Sequence, residues 1–137
     1  MKTRTQRITK AEYEQLAAWR YSLRQFLRFS EEAAQAAGLT PQQHQALLAI
    51  KGFPGRDRVT IGELAERLQI RPHSAVGLAD RLVSEKYAER LPGEQDRRQV
   101  YLSLTPHGEQ VLENLTTAHR EQLRRVEPHL RAVIDQL

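Results

Sequence analysis

At 137 residues, with 39% hydrophobic side chains, the chain has room for one domain with a modest core. Without cysteine it forms no disulfide, thiolate metal site or thiol redox switch; no run of about 18 apolar residues offers a membrane span, and the basic start MKTRTQRITK leads into no apolar leader segment, so a reduced cytoplasm is the expected setting. The net charge of +4 is concentrated at the start: residues 1–28 hold seven Lys/Arg against two acids, residues 61–98 hold seven of each, and bulk charge therefore marks no nucleic-acid patch in the centre.

From Ile8 to Ala37 no proline interrupts, and Leu16, Trp19, Leu23, Phe26 and Leu27 recur at helical spacing. This predicts a helix of about 28 residues, roughly 42 Å long, ended by Gly38. Thr40-Pro41-Gln42-Gln43 then opens a second helix with a capping box, and Ala46, Leu47 and Ile50 form its inner side. After the stop at residues 52–55, Val59 suits a very short strand. Thr60-Ile61-Gly62-Glu63 repeats the capping box before a short third helix carrying Ile61, Leu64, Ala65 and Leu68.

A three-residue turn, Gln69-Ile70-Arg71, leads to Pro72 and a fourth helix reaching Lys86. Here Ala75, Leu78, Ala79 and Leu82 share one face, while His73, Ser74, Gly77 and Arg81 share the other. Two short helices joined by a tight turn describe a helix-turn-helix. Residues 87–91 and 100–104 pair as a hairpin around Pro92 to Gln99, and Thr105-Pro106 caps a last long helix with Gly108 in its first turn. Its stripe runs through Leu112, Leu115, Leu123, Val126, Leu130, Val133 and Leu137. The fold class is mainly α with a small β-hairpin. No repeat or linker divides residues 1–137.

Three stretches, in order, carry a family resemblance: GLTPQQ at 38–43, IGELAERLQIRPHSAVGLADRLVSEKYAER at 61–90, and DRRQVYLSLTPHG at 96–108. Over residues 10–137 the chain resembles the MarR family of winged-helix transcriptional regulators, whose wing pattern D-x-R, strand, L-T-x-x-G falls here on Asp96, Arg98, Leu104, Thr105 and Gly108. The resemblance implies a winged helix-turn-helix lobe, 40–105, flanked by dimerisation helices, 8–37 and 106–137. It implies a homodimeric, sequence-specific double-stranded DNA-binding regulator, a repressor, released from a pseudo-palindromic operator by a small-molecule effector. The alternative is a winged-helix dimer acting as a protein-interaction or non-specific chromosome-structuring module without an effector.

On this resemblance the recognition helix, 72–86, enters the major groove with His73, Ser74 and Gly77 against base edges and Arg81 near a phosphate or paired with Asp80 or a wing residue. Gly77 departs from the larger polar residues common in relatives, which shifts weight onto shape and the wing. The wing, 88–104, reaches the minor groove, where Arg98 is the probe, Arg97 a phosphate contact and Asp96 the residue that stiffens the tip. Thr40 and Gln43 place the second helix's N-terminus against phosphate. Lys86 stands where relatives often have glycine, so that turn is expected to differ.

The stripes of the two terminal helices exceed what the winged-helix core can cover and are assigned mainly to a dimer interface. Trp19, Arg20, Tyr21 and His44 are the candidates for an effector pocket at the junction of dimer helices and DNA-binding lobe. The five histidines form no metal motif, and no metal or other cofactor is expected; His119 and His129 are placed near the interface, where they tune pH sensitivity. No nucleophile elbow, phosphate-binding glycine loop or carboxylate pair suggests an enzyme.

Overall fold

The computed structural model describes residues 7–136, and three of its helices begin with the same threonine device. Helix α1 (Lys10–Ala36) starts after Thr9, whose hydroxyl accepts from the Glu12 N–H while the Glu12 carboxylate accepts from the Thr9 N–H at 2.8 Å. Thr40 and Gln43 do the same for α2 (Pro41–Lys51), and Thr60 and Glu63 for α3 (Ile61–Leu68). Each cap satisfies donors that the first turn leaves open, worth about 1 kcal/mol. The expectation that α1 begins at Ile8 is corrected by the Thr9–Glu12 box, which carries the same sequence signature as the other two.

Helix α1 ends as its glycine demands. Gly38 takes a φ of 85°, its N–H reaches the Gln35 carbonyl at 3.0 Å, and the Leu39 N–H reaches the Ala34 carbonyl at 2.9 Å. Helix α4 (Pro72–Ser84) ends with the same bonding on a different residue. Lys86 holds a φ of 66°, its N–H donating to Val83 and the Tyr87 N–H to Leu82. The helix therefore stops at Ser84 rather than Lys86. The turn also keeps the glycine-type conformation, contrary to the expectation that lysine would change it.

Strands β1 (Arg58–Val59), β2 (Ala88–Pro92) and β3 (Val100–Leu104) form an antiparallel sheet in the order β1-β3-β2. The hairpin pairs Ala88 with Leu104 and Pro92 with Val100, and Val59 pairs with Leu102. Helix α5 (Pro106–Gln136) runs unbroken through Pro128. Leu47, Ile50, Val59, Leu64, Leu78, Leu82 and Leu102 are fully buried between α2, α3, α4 and the sheet, each worth about 1.5–3 kcal/mol relative to exposure.

The terminal stripes divide. Ala34, Leu112 and Leu115 belong to this core, and Val133 is also buried within one chain. The 112–137 stripe, assigned mainly to an interface, is thus shared: its first turns cover the winged-helix lobe. Leu16, Leu27, Leu123 and Ile134 remain exposed, and Leu137 lies outside the described residues. Among the described residues no helix is long and apolar enough to cross a membrane.

Candidate nucleic-acid interface

Helix α4 offers its N-terminal end open. Arg71 at the N-cap makes no side-chain cap, Pro72 occupies the first position, and the next two residues, His73 and Ser74, are exposed. Their N–H groups stand at the positive end of the helix dipole with no side-chain acceptor. One turn on, a β-carbon added to Gly77 would meet nothing within 4 Å, so this glycine answers no packing need of the chain. With Ala75, Leu78, Ala79 and Leu82 buried, the line pointing furthest outward is His73, Gly77 and Asp80, flanked by Val76 on one side and by Ser74 and Arg81 on the other. Sequence reasoning passed over Val76 and took Asp80 only as a partner for Arg81, although both lie at helical spacing from His73.

Asp80 is engaged, though not by its neighbour. Its carboxylate pairs with the Arg90 guanidinium from β2, which ties α4 to the wing. Arg81 is exposed, and among the described residues it makes no ion pair. Of the three partners considered for Arg81, Asp80 is taken by Arg90 and no wing residue pairs with it among the described residues, which leaves the guanidinium free for an external anion.

The wing tip is organised by Asp96. Its Oδ1 accepts the Arg98 N–H at 3.0 Å and lies 3.7 Å from Arg98 Nε, while the Arg98 side chain is 96% exposed. Such an exposed pair contributes little to stability, but the backbone bond closes the turn and directs residue 98 outward. Arg97 is exposed beside it. At the wing base the Thr105 hydroxyl donates to the Lys86 carbonyl at 2.6 Å and accepts the Gly108 N–H at 3.0 Å. Tyr87 stacks on His107, ring centroids 5.1 Å apart. Helix end, wing and α5 are therefore joined at one point.

At the start of α2, Thr40 and Gln43 form the expected capping box, and the Gln43 side chain has a further partner. Gln43 is buried, its Oε1 accepts the Thr40 N–H, and its Nε2 donates to the Glu85 carboxylate at 2.7 Å. A side chain so occupied cannot reach a phosphate, and its part is to hold the α2 cap against the end of α4. Thr40 is exposed, and the Gln42 N–H between them is the donor left for an anion.

Away from this face, α1, α2 and α5 enclose a groove of about 910 Å³, walled by Phe26, Leu27, Leu48, Leu123, Leu130 and Ile134. Of the four effector-pocket candidates only His44 lines it; Trp19 is half-buried, and Arg20 and Tyr21 are exposed elsewhere on α1. His44 lies 4.9 Å, centroid to centroid, from His119, and its buried Nδ1 has no hydrogen-bond partner. Burial first, and the His119 ring second, holds the His44 imidazole below its ordinary value near 6.5. His119 donates from Nδ1 to the Leu115 carbonyl at 2.6 Å, and its Nε2 hydrogen-bonds with the Ser30 hydroxyl at 2.8 Å. The expectation placed His119 only generally near the interface; the structure gives it fixed partners on α1 and α5. Among the described residues no group of three His, Asp or Glu side chains is placed to hold a metal ion.

Comparison with known proteins matches residues 37–99 to the MarR family. The HTH-type transcriptional repressor MdtR of Bacillus subtilis is 29% identical over 94 residues, which covers 69% of this chain and 59% of that protein. The chain spans about half the length of the curated relatives it matches. Among solved structures, the MarR family regulator AbsC from Streptomyces coelicolor superimposes with a TM-score of 0.70 at 23% identity, covering 88% of this chain and 81% of AbsC. The F27L mutant of MepR from S. aureus, solved bound to an oligodeoxyribonucleotide, gives 0.69 at 19% identity, over 95% of this chain and 96% of MepR. These likenesses establish the winged-helix fold.

Proposed function

We propose that this chain, whose residues 37–99 match the MarR family, is a homodimeric regulator of transcription that binds a pseudo-palindromic double-stranded operator. The lobe 40–105 carries the recognition helix α4, Pro72–Ser84, into the major groove and the wing, 88–104, into the adjacent minor groove. Helices α1 and α5 join two copies through Leu16, Leu27, Leu123 and Ile134, which one chain leaves exposed. Its relatives are named for the regulation of transcription rather than for a reaction.

One observation carries this reading. Arg98 projects from a hairpin ordered by Asp96, beside a helix whose outer face holds His73, Ser74, Gly77 and a free Arg81. Within one chain those groups bond to little. Together they match a duplex, because polar and small residues suit base edges and guanidinium groups suit a narrow minor groove. The groove at His44 is the site proposed for a small-molecule effector that releases the operator. The test is selection of bound fragments from the source genome, then a mobility shift against random duplex at matched salt. A preference of about 10³ or more supports an operator-specific regulator; equal affinity for both duplexes makes the chain a non-specific DNA protein instead.

A further inference from the structure

Val76 is 44% exposed on α4, one turn beyond His73 and next to Gly77. Among the described residues the other exposed large apolar side chains lie on or beside α1, α2 and α5, with Val100, paired with Pro92 next to the wing tip, as the one exception. Val76 therefore stands apart from the exposed apolar residues of α1 and α5 that a second copy would cover. Nor does it serve the helix: valine is a weaker helix former than alanine, and its β-branch holds χ1 nearly fixed. An ordered branched hydrocarbon is thus held outward on the face that the proposed function turns toward base edges.

We propose that Val76 reads the 5-methyl group of a thymine in each half-site of the operator, an assignment that rests on the DNA-binding reading above. In the major groove every base edge offers hydrogen-bonding atoms, and only thymine adds a methyl group. Valine has no donor or acceptor, so among the base edges it gains most from thymine, whose methyl group offers the largest apolar surface. Gly77 makes the approach feasible, because it puts no side chain between the helix backbone and the base plane. His73 and Ser74, one turn earlier, supply the polar contacts that Val76 cannot.

The experiment measures binding of the parent chain and Val76→Ala to a selected operator duplex in which each thymine is replaced, one position at a time, by deoxyuridine, which lacks only the methyl. The expected result is one position per half-site where the replacement weakens the parent about fourfold, the worth of one methyl group removed from water, and leaves Val76→Ala unchanged. Replacing both symmetric thymines should weaken the parent about fifteenfold. Alanine raises helix propensity at an exposed site, so the variant folds, and circular dichroism checks it. If every deoxyuridine costs both proteins alike, or the half-sites hold no thymine under the helix, the assignment of Val76 falls while the regulator reading stands. If the parent prefers no duplex over random DNA, the regulator reading falls and this one with it.

Discussion

The carbonyl oxygen of Tyr87 lies 2.0 Å from where a β-carbon on Gly108 would stand. The last residue of the L-T-x-x-G pattern is thus set by contact between the first turn of α5 and the junction of α4 with the wing. The Tyr87 carbonyl also accepts the Thr105 N–H at 3.1 Å, so it cannot withdraw without losing a bond. Gly108→Ala should destabilise the fold by about 1–3 kcal/mol, the usual cost of overpacking. Urea unfolding at fixed protein concentration measures this; a midpoint equal to the parent's would mean the junction yields freely.

Lys86 takes a left-handed φ of 66° with no glycine to ease it. A non-glycine residue in that region carries about 1–2 kcal/mol of strain, partly offset by the greater unfolded-state entropy of glycine. Lys86→Gly should therefore stabilise by roughly 0.5–1 kcal/mol, whereas Lys86→Ala keeps the strain and should change little. Thermal unfolding of the two variants side by side distinguishes relief of strain from loss of charge.

His44 predicts a pH dependence with a definite sign. Its folded-state pKa lies below 6.5 because it is buried and faces His119, so below about pH 6.5 the unfolded chain binds a proton that the folded chain resists. Its contribution is complete above that pH and is lost as pH falls toward the folded-state value. Stability measured at pH 7.5 should exceed that at 5.5, and His44→Leu should reduce the difference. It should also stabilise by on the order of 1 kcal/mol at neutral pH, since it removes a buried nitrogen with no partner. An unchanged pH slope in this variant would move the titration elsewhere.

Leu123 is 44% exposed on the wall of the groove between α1 and α5. If a second copy covers it, sedimentation should give about twice 15.8 kDa for the parent. Leu123→Arg should lower that mass toward the monomer while circular dichroism stays the same, because arginine there meets water in one chain and an apolar surface in the pair. A parent that sediments as a monomer at micromolar concentration would end the dimer proposal.

Arg98 and Arg81 should separate by their effects on binding. Both are exposed, and Arg98 has only a weak pair with Asp96, so either alanine variant should stay within about 0.5 kcal/mol of the parent in stability. Arg98→Ala should cost about 1–3 kcal/mol of operator affinity per half-site, most where A·T tracts narrow the minor groove. Arg98→Lys should restore part of it, since the ammonium keeps the charge without the planar fork. Arg81→Ala should weaken all duplexes alike. Operator affinity of Arg98→Ala equal to the parent's at matched salt would leave the wing as a solvated hairpin.

The order of elements was legible in the sequence because local rules act at short range. Caps at Thr40 and Thr60, the stop at Gly38, the apolar face of α4 and the alternation in β3 are each decided within about seven residues. The wing motif likewise placed Arg98 and Asp96 together, since their bond spans two residues. What needed the tertiary structure were partners far apart in the chain. Gln43 turned inward because Glu85, 42 residues later, takes its amide; Asp80 chose Arg90 on the next strand over adjacent Arg81. His44 and Ser30 met His119 only when α5 packed back across α1 and α2. Likewise, periodicity marked one apolar stripe on α5, but only packing divided it into Leu112 and Leu115 within the core and Leu123 on the surface. A helical repeat specifies which side chains share a face, and burial depends on which distant element arrives to cover each part of it.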